Sequence, residues 1–209
     1  MLRTPYYLLE DDVEVARLIR ANPWAAFVSS TSHGIEASHY ATLLDEEAWA
    51  KGELAIVSHF GRGEIRLHEL ASVAEPVEAR EMLVIIAGPH DYISPAWYDR
   101  GDTIPTWNHV TAHLYGVPEL LSDEENWQNL NQLVQHFEGG DPGSRAEAQS
   151  LGDKEDVARG TVGIRLRVTR YEARAKLSQN KTAEIRTKIT EELDLVNPAL
   201  AAEMRHFAP

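Results

Sequence analysis

The chain has 209 residues, 43% of them hydrophobic, which is enough to bury the core of one ordinary domain and too many for a disordered tail. Thirty-three acidic residues against twenty basic leave a formal charge of −13, which repels a phosphate backbone and argues against tight direct DNA binding. Cysteine is absent, so disulfide frameworks, thiolate metal sites and cysteine nucleophiles are excluded. Residues 1–15 carry one basic side chain and an acidic Glu10-Asp11-Asp12 run in place of a signal segment. The apolar runs, such as 82–88, fall far short of the ~20 residues of a membrane helix. A soluble, cytoplasmic protein without a membrane partner is expected.

In chain order, Val13, Ala16 and Ile19 follow that acidic run at helical spacing and predict a short amphipathic helix ended by Pro23. Residues 25–30 read as a strand, Ser32-His33-Gly34 as a turn, and 35–44 as a strand with Ile35, Ala37, His39, Ala41 and Leu43 on one face. Further strands are predicted at 54–58, 82–87 and 109–117, with a short helix at 64–71. Ser122 and Glu125 form a capping box ahead of Trp127, Leu130, Leu133, Val134 and Phe137, a helix that Gly139-Gly140 stops. A polar excursion at 141–156 leads to a sixth strand at 162–168, and helices at 182–193 and 198–207 close the chain, the last with Asn197 as cap and Pro198 at its first position. Six strands with hairpin-length links favour an antiparallel barrel over a parallel sheet.

Three segments hold residues with chemical possibilities. From Gly88 to Tyr115 the chain gathers His90, Tyr92, Trp97, Tyr98, Trp107, Asn108, His109 and His113, a mixture that suits a planar heteroaromatic ligand or pins a long loop to the barrel. His109 and His113 lie four residues apart on a strand, about 13 Å, so one metal cannot take both and no metal site is expected. Ser58-His59-Phe60-Gly61-Arg62-Gly63-Glu64 joins a strand to a helix, where glycines, free N–H groups and Arg62 could hold a phosphate, or form an ordinary glycine turn. Ser178, Gln179 and Asn180 precede another helix and serve as a cap or a polar contact. No serine triad, cysteine–histidine pair or paired carboxylates are legible, so whether the protein is an enzyme stays open.

On Gly88-Pro89-His90-Asp91-Tyr92-Ile93-Ser94-Pro95-Ala96-Trp97-Tyr98, Ile104-Pro105-Thr106-Trp107-Asn108, His113-Leu114-Tyr115-Gly116, Gly160-Thr161-Val162-Gly163 and Lys176-Leu177-Ser178-Gln179-Asn180-Lys181, the chain resembles the PaiB-like FMN-binding negative transcriptional regulators. The resemblance spans nearly the whole chain, departing from the family's usual residues at Tyr40-Ala41-Thr42 and at 61–67. It implies a mainly β fold with flanking helices, a six-stranded antiparallel Greek-key split β-barrel of the FMN-binding type. Residues 1–209 would form one split-barrel domain, with 118–160 as a helical and loop excursion and 181–209 as a C-terminal helical appendage. It further implies a homodimer that holds FMN, with Arg62 at the FMN phosphate, Ser58 or His59 beside it, Phe60 next in the strand and His39 on the adjoining strand. Trp107, Asn108, Thr111 and His113 would reach the flavin from the second subunit, and Gln179 and Asn180 would complete the cofactor contacts. The function implied is negative transcriptional regulation through flavin or a partner. The alternatives are a flavin-dependent oxidoreductase or flavin reductase on a small substrate, or haem binding through His90, His109 or His113.

Overall fold

Period-2 alternation builds eight strands in the computed structural model, which describes residues 4–70, 80–98, 104–139 and 160–208. They are β1 (Trp24–Thr31), β2 (Gly34–Leu44), β3 (Ala55–Gly61), β4 (Met82–Ile93), β5 (Thr106–Gly116), β6 (Pro118–Leu120), β7 (Thr161–Arg167) and β8 (Arg170–Lys176), in the sheet order β6-β7-β3-β2-β1-β4-β5-β8. The β1–β2, β1–β4, β2–β3, β3–β7 and β6–β7 pairs run antiparallel. Eight strands correct the expected six. β6 is three residues long, too short to show a period, and β8 alternates charged side chains with Ala173 and Ala175, which are buried without being conspicuously apolar. The expected excursion at 141–156 lies outside the described residues.

Six α-helices accompany the strands among the described residues: α1 (Asp12–Ala21), α2 (Glu46–Trp49), α3 (Arg62–Leu67), α4 (Asp123–Glu138), α5 (Ala183–Val196) and α6 (Pro198–His206). The Ser122–Glu125 capping box opens α4 and Gly139 closes it at φ +82°, a left-handed conformation that favours glycine. Asn197 caps α6 by accepting the Leu200 N–H, with Pro198 at the first position. No helix among the described residues is long and apolar enough to cross a membrane.

The chain divides into two compact units, one of Met1–Leu18, Ala87–Ala112 and Glu172–Pro209, the other of Ile19–Ile86 and His113–Tyr171. In the first, Val15 and Leu18 of α1, Ile189 and Leu193 of α5 and Leu200 of α6 are fully buried. There Arg17 forks onto both carboxylate oxygens of Glu203, at 2.7 Å each, tying α1 to α6. In the second unit Phe27 of β1 meets Phe60 of β3 edge-on at 5.1 Å, with Ile56, Ile86, Leu114, Ile164 and Leu166 also in its core.

The two faces of β2 lie opposite to what hydrophobicity alone suggests. Thr42 and Leu44 are buried and Ser38 and Tyr40 are half-buried, whereas Ile35, Ala37 and His39 stand exposed, Ile35 at 79%. Trp24 of β1, 63% exposed, stacks on His39 at 6.4 Å. Arginines along β7 and β8 are engaged in ion pairs. Arg165 pairs with Asp45, Arg167 with Glu53 and Glu119, and Arg170 with Glu81.

Candidate functional site

β3 presents the residues expected around a phosphate, and its pleat sorts them onto opposite faces. Ser58 and Phe60 point into the core. Ser58 is fully buried and its hydroxyl donates to the Ala41 carbonyl at 2.7 Å, while Phe60 stacks on Tyr40 with ring centres 4.6 Å apart. His59 faces the other way, half-buried, with the Tyr40 ring edge-on at 5.9 Å. Its Nδ1 is buried and has no hydrogen-bond partner, and burial lowers its pKa, so the imidazole is neutral at neutral pH. His39 is exposed on β2.

The strand ends at Gly61, whose N–H donates to the Tyr40 hydroxyl at 3.4 Å. Arg62 then opens α3, exposed, with Asp123 of α4 3.9 Å away. A Cβ on Gly63 would meet nothing within 4 Å, so the backbone beside Arg62 is open to an approaching group. A buried polar cluster fixes α3 from behind. His68, 3% exposed, contacts the Ser29 hydroxyl through Nδ1 at 2.9 Å and the Ser38 hydroxyl through Nε2 at 3.0 Å, and Ser38 in turn donates to Glu64. Burial lowers the His68 pKa against the opposing pull of Glu64 and Glu36.

Helix α4 adds two residues that the sequence reading missed. The Asn129 amide donates to the Ser58 carbonyl at 2.8 Å, and Asn126 donates to the Thr161 hydroxyl at 3.1 Å. Both side-chain oxygens are buried without a partner. The signal was legible: asparagines three apart stand within the buried stripe of α4 that holds Leu130 and Leu133, where an apolar pair would be ordinary. A cavity of about 490 Å³ in this unit is floored by Leu43, Val57 and Leu121, but none of the sequence-named site residues lines it. Asp45, Glu46, Glu47 and Glu125 outnumber Arg20 and Arg165 along its wall, which disfavours a phosphate there.

In the other unit, Trp107, His109 and Thr111 lie on the more open face of β5, while Asn108 points into the core. Trp107 is 54% exposed, 6.3 Å from the rings of both His90 and Tyr92, and its carbonyl accepts from Lys176 at 2.8 Å. Burial first, then Arg174, Lys176 and His90, lowers the pKa of His109. Asn108 is fully buried and bonds Ser178 at 3.0 Å, and Ser178 adopts a left-handed φ of +60°. Gln179 spends its amide on its own turn, accepting from the Leu177 N–H and donating to the Ala175 carbonyl. Asn180 is exposed. His113, half-buried on β5, falls in the same unit as His59 and Arg62. Among the described residues there is no cluster of three or more His, Cys, Asp or Glu side chains able to hold a metal.

A family model described as "Putative FMN-binding domain" matches residues 1–170. The chain is 25% identical to protease synthase and sporulation protein PAI 2 of Bacillus subtilis over 194 residues, 90% of this chain and 86% of that one. Solved structures of low sequence identity share its fold. The FAD and heme binding protein from Mycobacterium smegmatis matches with a TM-score of 0.63 at 16% identity, covering 86% of this chain and 78% of its own. The flavocytochrome Anf3 from Azotobacter vinelandii matches with a TM-score of 0.64 at 14% identity, covering 90% and 78%.

Proposed function

The chain belongs to the FMN-binding domain family, with FMN as its cofactor, and on that premise we propose that it is a PaiB-type flavoprotein that represses transcription through its flavin or a partner protein. The observation that carries the cofactor reading is the pairing on β3 and α3 of a buried, unpartnered His59 Nδ1 with Arg62 beside the open backbone of Gly63. A buried polar atom without a partner is uncommon, and a bound group with a hydrogen-bond donor or acceptor would satisfy it. Arg62 supplies charge to a phosphate and His59 orients the cofactor as a neutral imidazole, while the His68 cluster holds α3 in place. When bound, FMN supplies one- and two-electron redox chemistry.

Partner-mediated action is favoured over direct repression because Arg165, Arg167 and Arg170 are already spent on carboxylates, in a chain of charge −13. The protein acts as a homodimer in the cytoplasm, with Trp107, Thr111 and His113 contributed to the flavin by a second copy. The exposed Trp107, and the outward Trp24 and Ile35 of β1 and β2, are apolar surface that a second copy would cover. A mass of 23.4 kDa by light scattering at micromolar concentration, that of one chain, would overturn the dimer.

Titration of the purified protein with FMN, followed by flavin fluorescence, tests the site. Arg62→Ala is expected to weaken binding by about 1.5–3 kcal/mol through loss of a charge-assisted contact. Unchanged affinity in a folded variant would move the phosphate elsewhere. The fold shared with a flavocytochrome sustains a second reading, a flavin-dependent oxidoreductase. Reduction of the bound flavin by a reduced nicotinamide, with turnover on an added acceptor, would favour it, and a Soret band would mark haem in place of flavin.

A further inference from the structure

The C-terminal helices line a second, half-open cavity of about 410 Å³, which takes in Gln179 but none of the β3 and α3 residues that carry the flavin reading. Arg186 of α5 lies on its wall and is only 8% exposed. Its Nη2 donates to the carbonyls of Met204 and Phe207 at 3.2 and 3.3 Å, closing the last turn of α6, and its Nε–H is buried with no partner. A guanidinium is always charged, so this is a fixed buried cation with an unspent donor. Lys181 and Arg205 stand on the same wall, Arg205 paired with Asp194, and the one carboxylate in the lining itself is Glu191. Three cations to two anions, counting Asp194, is still the reverse of the balance of the whole chain.

The neutral lining narrows the ligand. Thr187 and Thr190 donate their hydroxyls to the Ala183 and Arg186 carbonyls of their own helix, so towards the cavity they offer oxygen lone pairs. The volume falls within the range of small-molecule sites and exceeds what an inorganic ion fills. We propose that this cavity binds a small hydroxylated organic anion, its phosphate or carboxylate group on the Arg186 Nε–H with Lys181 and Arg205 around it, and its hydroxyls donating to Thr187 and Thr190.

The test follows the Arg186 ¹⁵Nε resonance of the full-length protein during titration with glucose 6-phosphate, gluconate, inorganic phosphate and neutral glucose at constant ionic strength. A saturable shift with glucose 6-phosphate or gluconate, half-complete by about 1 mM, is expected, with a weaker response to phosphate and none to glucose. The phosphate and carboxylate arms distinguish which head group the site takes. Because Arg186→Gln could loosen α6, the decisive variant is Lys181→Ala with Arg205→Ala, expected to weaken binding at least tenfold while FMN affinity stays unchanged. No saturable shift with either organic anion, or an equal response to glucose, would overturn the proposal. Displacement of the anion by FMN would assign the cavity to the flavin and overturn it equally.

Discussion

Three glycines of the second unit form a graded test of how its strands meet. At Gly116, the last residue of β5, an added Cβ would lie 2.1 Å from the Arg167 carbonyl oxygen and 3.1 Å from the carbonyl carbon. Ordinary carbon–oxygen contacts begin near ~3.3 Å, so the overlap is roughly 1.2 Å, and it is backbone against backbone, which no rotamer relieves. Opening it must separate β5 from the β7–β8 turn, where the Thr169 N–H donates to the Tyr115 carbonyl at 2.9 Å. Overpacking at about 1–3 kcal/mol together with a hydrogen bond worth about 1 kcal/mol puts Gly116→Ala at about 2–4 kcal/mol of lost stability. At Gly163 the obstacles are mainly side-chain ends, Asn126 Oδ1 at 2.9 Å and Leu121 Cδ1 at 3.0 Å, which yield in part, so about 1–2 kcal/mol is expected. Gly63 meets nothing within 4 Å inside a helix, so Gly63→Ala should be neutral or stabilising by about 0.5–1 kcal/mol. Urea unfolding followed by tryptophan fluorescence measures all three from the midpoint shift at constant m. A Gly116→Ala cost below about 1 kcal/mol, or one no larger than that of Gly163→Ala, would refute the close approach at the end of β5.

Other perturbations reach the polar interior and the charged surface. His68 is buried neutral with its pKa lowered, so its contribution is complete above the unfolded value near ~6.5 and is lost as pH falls from there towards the folded value, at up to about 1.4 kcal/mol per pH unit. His68→Gln should therefore flatten the dependence of the urea midpoint on pH between about 7.5 and 5.5, and an unchanged slope would assign the acid sensitivity to other groups. Asp45 caps α2 through the Ala48 N–H at 3.0 Å and receives Arg165 at 2.8 Å, and these contacts hold its pKa down although burial works against them. Asp45→Ala is expected to cost about 2–3 kcal/mol in urea unfolding and Asp45→Asn, which keeps the cap, about half of that. Equal costs would mean that the cap contributes nothing, and no cost for Asp45→Asn would mean that the ion pair contributes nothing. In gel shifts at physiological salt the protein alone should show no nanomolar binding to duplex DNA. A shift abolished by Arg165→Ala with Arg167→Ala would make direct repression the better mechanism.

Local rules were enough for the elements whose signal is local. The capping box at Ser122 and Glu125, the Asn197-Pro198 start of α6 and the Ser32-His33 hairpin are short-range geometry, and the structure shows each where the sequence places it. The family was legible too, because the motifs that carry it, from Gly88 to Tyr98 and from Lys176 to Lys181, are continuous in sequence. Tertiary structure decided what period alone leaves open. Alternation shows that Ile35, Ala37 and His39 share a face of β2 but not that this face turns outward, since that depends on which side Phe27 and Phe60 fill. The same pleat put Ser58 and Asn108 in the core and left His59 with a buried, unpartnered nitrogen, so neighbours in sequence have opposite surroundings. β8 is not legible in the sequence because burying alanines between charged residues is favourable only once adjacent strands cover them, a condition of the assembled sheet that Arg170–Lys176 does not announce by itself.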